Sequence, residues 1–255
     1  MKPFRLSVYL LLACTGFLFS CSNKTEKFET DKIAEYLPLQ TGKSITYRLD
    51  SLVFVNFQQF PETHSYLVKH VVDGTLTDNL GRATYRIARY INNVTGTGTW
   101  TSNGNYFITP LEDQIEVIED NLRVIKLHMP MKEGFTWKGN TYLPNEPYAS
   151  FGYVMENDND MQTWDFNYDN FASTFTYGGK TFADVYTVEE AGDSINVPVV
   201  ATNSYGSKTR SVEKYSKNIG LVFRDYALWE YQPNLNGPNP SYSGFAIRMW
   251  MVDHN

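Results

Sequence analysis

The chain has almost no cysteine. Its two, Cys14 and Cys21, both fall in the first segment. The rest therefore holds no thiol nucleophile, no disulfide and no cysteine metal site, and an exported domain of this kind must be held by its core. Histidine is also scarce: His64, His70, His128 and His254 are scattered. No Gly-x-Ser-x-Gly elbow and no Ser-His-acid set points to a serine hydrolase. No His-Glu-x-x-His or paired ligand spacing points to a metal centre, and no glycine-rich loop opens a helix as a phosphate cradle. His70 reads as a surface strand residue. Basic clusters are missing and the formal charge is −6, which argues against a nucleic-acid partner. After the first segment no apolar run approaches the roughly twenty residues of a spanning helix. Nothing implies a cofactor.

Acidic residues are plentiful, but they form no recognisable site. Glu156-Asn157-Asp158-Asn159-Asp160, followed by Asp165 and Asp169, is the best metal candidate. Thr163 stands where a calcium loop counted from Asp158 needs glycine, so this stretch reads as a solvated loop and no metal is assigned.

What is present starts at the N-terminus. Lys2 and Arg5 precede an uncharged, apolar run from Leu6 to Ser20, and from Ser22 the chain turns polar. This is the secretory pattern, and the run is short for a spanning helix. Leu18-Phe19-Ser20-Cys21 resembles the bacterial lipobox, with Phe19 bulkier than usual. Residues 1–20 are thus predicted to be a lipoprotein signal peptide. Cys21 is the predicted lipid attachment site, on which two or more acyl chains give stable membrane anchoring. Leu11-Leu12-Ala13-Cys14 also fits the box, but cutting there leaves an apolar stub and a very short apolar region. A plain secretory signal with incidental cysteines is the remaining alternative.

Residues 21–35 read as a lipidated tether, with one short helical stretch around Asp31–Glu35. Residues 36–255 read as a single domain. Lipoproteins displayed on the cell surface tend to carry acidic residues right after the lipidated Cys; Ser22-Asn23-Lys24-Thr25-Glu26 has one acid and one base, which favours the periplasmic face of the outer membrane over the cell surface.

Aromatics are abundant: 18 Tyr, 16 Phe and 5 Trp. They suit a β core, or a platform for a sugar or apolar ligand. Trp100, Trp164 and Trp229 are the ligand-binding candidates, whereas Trp137 and Trp250 are expected in the core. Strand signals recur every eight to twelve residues or so. Ile45, Tyr47 and Leu49 alternate with Thr46, Arg48 and Asp50. Both faces of the stretch Phe245–Val252 are largely apolar, so that strand is expected to be covered on both sides. Leu111, Ile115, Ile118, Leu122 and Ile125 fit a helical spacing. The same residues also fit a hairpin turning at Glu119-Asp120-Asn121, which we prefer because Val and Ile dominate. Long loops are expected at 157–170 and 232–243. The predicted fold is all-β: a large curved antiparallel sheet, sandwich- or barrel-like, with few short helices.

Three stretches carry a resemblance. Tyr36–Tyr47 resembles the opening "fPLxxGxxWxY" of small Bacteroidota lipoproteins, with Ile45 in place of Trp. Met131–Trp137 resembles their central "PxxxGxxW" turn, and Lys214–Arg224 their closing "yxxxGxGLVxxe" strand, with Asn218 in place of the first Gly. The family is of unassigned function and implies curved antiparallel strands, not a catalytic residue. Asp50-Ser51-Leu52 and Asp193-Ser194-Ile195 resemble the O-glycosylation triplet of these bacteria.

Together these readings predict a membrane-anchored module, binding or structural rather than enzymatic, for an apolar, glycan or protein partner. The alternative is a carboxylate-based glycan hydrolase of the envelope. That would need two carboxyls facing each other across a cleft, about 5–9 Å apart.

Overall fold

Alternation along the strands decides the architecture. In the strand Ser44–Val55, Tyr47 and Leu49 point to one side while Arg48 and Asp50 point to the other, as the two-residue period of a strand requires. A computed structural model describes residues 30–153, 160–234 and 239–255. The lipobox at Leu18–Cys21, its rival at Cys14 and most of the acidic stretch Glu156–Asp160 lie outside the described residues.

The strands are β1 (Ser44–Val55), β2 (Phe60–Thr77), β3 (Ala83–Asn93), β4 (Thr101–Pro110), β5 (Gln114–Glu119) and β6 (Leu122–His128). They continue as β7 (Thr136–Trp137), β8 (Phe166–Tyr177), β9 (Lys180–Ile195), β10 (Gly206–Ser216), β11 (Gly220–Gln232) and β12 (Ser241–His254). All belong to one antiparallel sheet in the order β6-β5-β4-β3-β2-β1-β12-β11-β10-β9-β8-β7. The first and last strands pair at the centre of this order, with Leu49 opposite Met249, and the sheet curls until its edge strands β6 and β7 approach each other, making a nearly closed barrel. The expected all-β class holds. The preferred hairpin is β5–β6, and Asp120 and Asn121 form its turn with left-handed φ values of 50° and 64°, as a tight hairpin turn demands.

Exposed sheet edges invite pairing with other chains; here the two edges are stitched together. The Ile125 N–H donates to the Gly139 carbonyl at 2.8 Å, and the Trp137 indole N–H donates to the Ile125 carbonyl at 2.8 Å. The Tyr168 hydroxyl accepts from the His128 N–H and donates to the His128 carbonyl. Gly139 has to be glycine, because a Cβ there would lie 2.4 Å from the Phe166 ring and 2.8 Å from the Ile125 carbonyl. Trp137, in the central motif, is buried as expected.

The barrel has two unlike ends. One carries the β2–β3 and β10–β11 turns and is filled from inside. Helix α1 (Ile33–Tyr36) buries Ile33 and Tyr36 there. The Tyr36 hydroxyl donates to Asp31, and Lys217 pairs with Asp31 at 2.7 Å and Glu35 at 3.1 Å. The other end carries the β1–β2 turn and the β9–β10 connection, and it is open.

Three expectations are corrected in detail. Trp250 is not in the core: it is half-buried on the outer face, between Arg48 and the β8–β9 turn at Tyr177. The inner face of β12 is apolar through Met249 and Met251, but Arg248 on its outer face is exposed, so the strand is covered only in part. The expected loop at 157–170 ends earlier, because β8 begins at Phe166.

Candidate functional site

The barrel interior is not filled. A cavity of about 590 Å³ runs from the open end to the middle of the barrel. Its apolar wall comes from inward positions of strands already assigned: Leu49 and Val53 of β1, Val68 of β2, Val124 of β6, and Phe245 and Met249 of β12. This volume is in the range of small-ligand sites.

At its inner part the cavity meets a belt of charge. Arg224 of β11 holds Glu213 at 2.7 Å and Glu119 at 3.2 Å. Lys126 reaches Glu213 at 3.2 Å and Arg89 reaches Glu119 at 2.9 Å. The Tyr215 hydroxyl donates to the second Glu213 oxygen at 2.7 Å. Burying charge is costly unless it is paired and hydrogen-bonded, and these pairs meet that condition. Burial alone would raise the Glu213 carboxyl, but Lys126 and Arg224 outweigh it and hold it at about 2. Burial is likewise overridden at Glu119 by Arg224 and Arg89, so its pKa is also lowered. Among the described residues the Arg89 Nε is buried without a hydrogen-bond partner.

His70 lines this cavity and is not on the surface. It follows Val68 and precedes Val72, both inward and buried. Burial pushes its imidazole down to about 3, so the ring is neutral, with Nδ1 3.2 Å from the Tyr106 hydroxyl. Glu190 is also interior. Burial raises its carboxyl, which hydrogen-bonds the Asn140 amide.

The segment Tyr148–Tyr153 crosses the mouth. The Gly152 carbonyl accepts from the Gly244 N–H at 3.0 Å, and Tyr148 and Phe151 pack on Phe245. Gly244 permits this crossing, because a Cβ there would lie 2.9 Å from the Tyr153 ring, and it would also lie 2.0 Å from the Leu228 carbonyl oxygen of β11.

The three candidate tryptophans lie apart, and none lines the cavity. Trp100 sits under Lys69 on the outer face, its ring centre 4.7 Å from the ammonium. Trp164 packs against the core just before β8. Trp229 is buried on the outer face of β11 with Tyr231, beside Phe54 and Tyr242. Ser51, in the first of the two glycosylation-like triplets, faces the cavity, whereas Ser194 is exposed near the end of β9. Among the described residues no group of three or more His, Cys, Asp or Glu is placed to hold a metal.

The belt residues Arg89, Glu119, Lys126, Glu213 and Arg224 were not singled out from sequence. A signal existed: Arg224 is in phase with Val222, Tyr226 and Leu228, the apolar side of β11.

No family model matches the chain, and no curated protein matches it. Among solved structures, an exported protein with a YmcC-like fold from Bacteroides fragilis is 11% identical, over 85% of this chain and 96% of that one, with a TM-score of 0.38. An outer-membrane lipoprotein-sorting protein domain from Vibrio parahaemolyticus is 11% identical, over 84% and 85%, with a TM-score of 0.18. Likeness at these scores is too coarse to bear on the site.

Proposed function

We propose that the barrel is a non-enzymatic binding module that takes up the apolar part of an amphiphilic ligand. The chain would be held by a lipid on Cys21 at the periplasmic face of the outer membrane, as in the Bacteroidota lipoproteins its motifs resemble. The observation that carries the binding role is the cavity itself. Unfilled apolar volume costs stability roughly in proportion to its size, and one end of this barrel is plugged while the other is left open. An occupant accounts for that asymmetry. Its chain would lie against Leu49, Val68, Val124 and Met249, and its polar end would meet the belt, where the unpartnered Arg89 Nε faces a need for an acceptor.

The test is uptake of a long-chain fluorescent fatty acid by the full chain. Saturable uptake is expected, and Met249→Trp, which fills the cavity, should abolish it without lowering the melting temperature by more than a few degrees. Absence of uptake, or uptake indifferent to Met249→Trp, overturns the reading.

The glycan-hydrolase reading has one observation in its favour. Glu190 is raised and Glu213 lowered in the same interior, as in acid and base pairs of glycosidases. However, Lys126, Arg224 and Tyr215 occupy Glu213, and Glu190 does not line the cavity. Sugar release from envelope glycans that is lost in both Glu190→Gln and Glu213→Gln would favour it.

A further inference from the structure

Charge is distributed unevenly between the ends of the barrel. One residue in five of the chain is charged, at 20%, yet residues 51–61, 90–111 and 194–207 contain no Asp, Glu, Lys or Arg. These stretches hold the β1–β2 turn, the β3–β4 connection and the β9–β10 connection. All three connections are on the side where the cavity opens, although the second uncharged run continues along β4 toward the other end. The plugged end, by contrast, carries Asp31, Glu35, Lys43, Asp78, Arg82 and Lys217.

These uncharged loops also present apolar side chains to solvent. Phe57 is 96% exposed and Val200 81% exposed, with Phe60, Ile195 and Val197 also exposed. These side chains are held out by structure. Asn56, Phe57 and Gln58 take three successive left-handed φ values, 50°, 58° and 65°, a costly backbone for a bulky residue. In the other loop the Asn196 side chain accepts from the N–H groups of Val200 and Ala201 and donates to the Ala201 carbonyl. The Tyr231 hydroxyl donates to the Thr202 carbonyl. Burying Phe57 or Val200 against the barrel would have been the favourable default.

The barrel wall does not share this character. Its outer face carries the Arg48–Asp50, Arg210–Asp225 and Arg248–Asp225 pairs, so it is not a lipid-facing barrel with an apolar belt. Apolar side chains are also exposed at Leu76 and Leu80 beside the β2–β3 turn, at Tyr142 and at Phe171 of β8, but the largest group is the five at the open-end loop tips.

We propose that the open end docks on the surface of a lipid bilayer, seating Phe57, Phe60, Val197 and Val200 at the boundary between headgroups and acyl chains. Apolar side chains insert to about 5–10 Å at that boundary, where a charged side chain is disfavoured, which matches both the tips and the missing charge. A protein partner would place no such demand on three separate loops. Without basic residues in those loops the contact gains nothing from anionic lipid, so it forms on zwitterionic bilayers and survives high salt. It leaves the cavity mouth, between Phe54, Gln58 and Phe151, turned toward the lipid. The inference rests on the proposed binding role only for what the contact serves.

The experiment is site-specific quenching with the full chain in phosphatidylcholine vesicles, plain or brominated high on the acyl chain. The emission of Phe57→Trp, taken as the difference from the unsubstituted chain, should shift to the blue and be largely lost in the brominated vesicles. Adding Phe60→Asp and Val200→Asp should restore it. Both residues are exposed, so the fold survives these changes, which circular dichroism checks. Emission equal in plain and brominated vesicles overturns the proposal. Quenching that survives both aspartates also overturns it, since the anchor alone would then bring the tip to lipid. No ligand is present in this measurement, so its failure is distinct from failure of fatty-acid uptake.

Discussion

The two ends of the barrel are made by the same strands and differ in what the chain does beyond them. At the plugged end α1 inserts Tyr36, which is wholly buried, and Lys217 ties Asp31 and Glu35 to the β10–β11 turn. At the open end the connections turn their apolar side chains outward, and Tyr148–Tyr153 covers the mouth only in part. A curled sheet of twelve strands encloses more space than its own inward side chains fill. Something must complete it at each end. At one end the chain supplies a short helix; at the other it leaves a site.

The largest effect expected from breaking this contrast is at the plug. Tyr36→Ala removes a fully buried ring packed edge-on to Tyr186 at 5.1 Å and a hydrogen bond to Asp31. It should cost about 3–5 kcal/mol in denaturant unfolding. A cost below about 1 kcal/mol would mean that the barrel closes without its plug, and the two ends would then not differ in kind.

The belt between the ends sets the response to acid. The His70 imidazole titrates at about 3 in the folded chain against an ordinary value of 6.5, because burial, with the nearby Arg224 and Arg89, opposes its charge more than Glu119 favours it. Between those values the unfolded chain binds more protons, so stability falls as pH drops. The loss from pH 6.5 to about pH 5 is on the order of 2 kcal/mol. Glu213 adds a second limb. Its folded value of about 2 lies below the ordinary 4.5, so its contribution is present above 4.5 and is lost as pH falls toward 2. Urea midpoints measured across this range should show both limbs, and His70→Asn should flatten the first while leaving the second. A profile unchanged by His70→Asn would place that ring in water rather than in the cavity.

Much of the wall was legible, because a strand's two-residue period is written in neighbouring residues. Ile45, Tyr47 and Leu49 announced β1, and Val and Ile with Asp120-Asn121 at the turn announced the β5–β6 hairpin. What was not legible depends on contacts far apart in sequence. Nothing local says that Leu49 lies opposite Met249, and without that pairing there is no inside for Arg224 or Glu213 to face. Charged residues in strands read as solvent-facing by default, and here that default fails for the belt. His70 shows a signal passed over: its alternation with Val68 and Val72 placed it inside. Trp250 shows the reverse. An apolar residue in a strand apolar on both sides gives no clue to which side is the core.

The smallest expected effect bears most directly on the open end. Phe57 touches almost nothing, being 96% exposed, so Phe57→Ser should change unfolding free energy by no more than about 0.5 kcal/mol. A large exposed aromatic that contributes nothing to stability and sits on a left-handed backbone is unfavourable in the free molecule, and selection for folding alone would replace it. If Phe57→Ser instead destabilises the barrel by more than about 1 kcal/mol, the ring packs against the chain in solution. The open end would then be closed by its own loop, and the contrast between the ends would be one of degree. If stability is unchanged, the reason for Phe57 lies outside the folded chain, where the bilayer measurement looks for it.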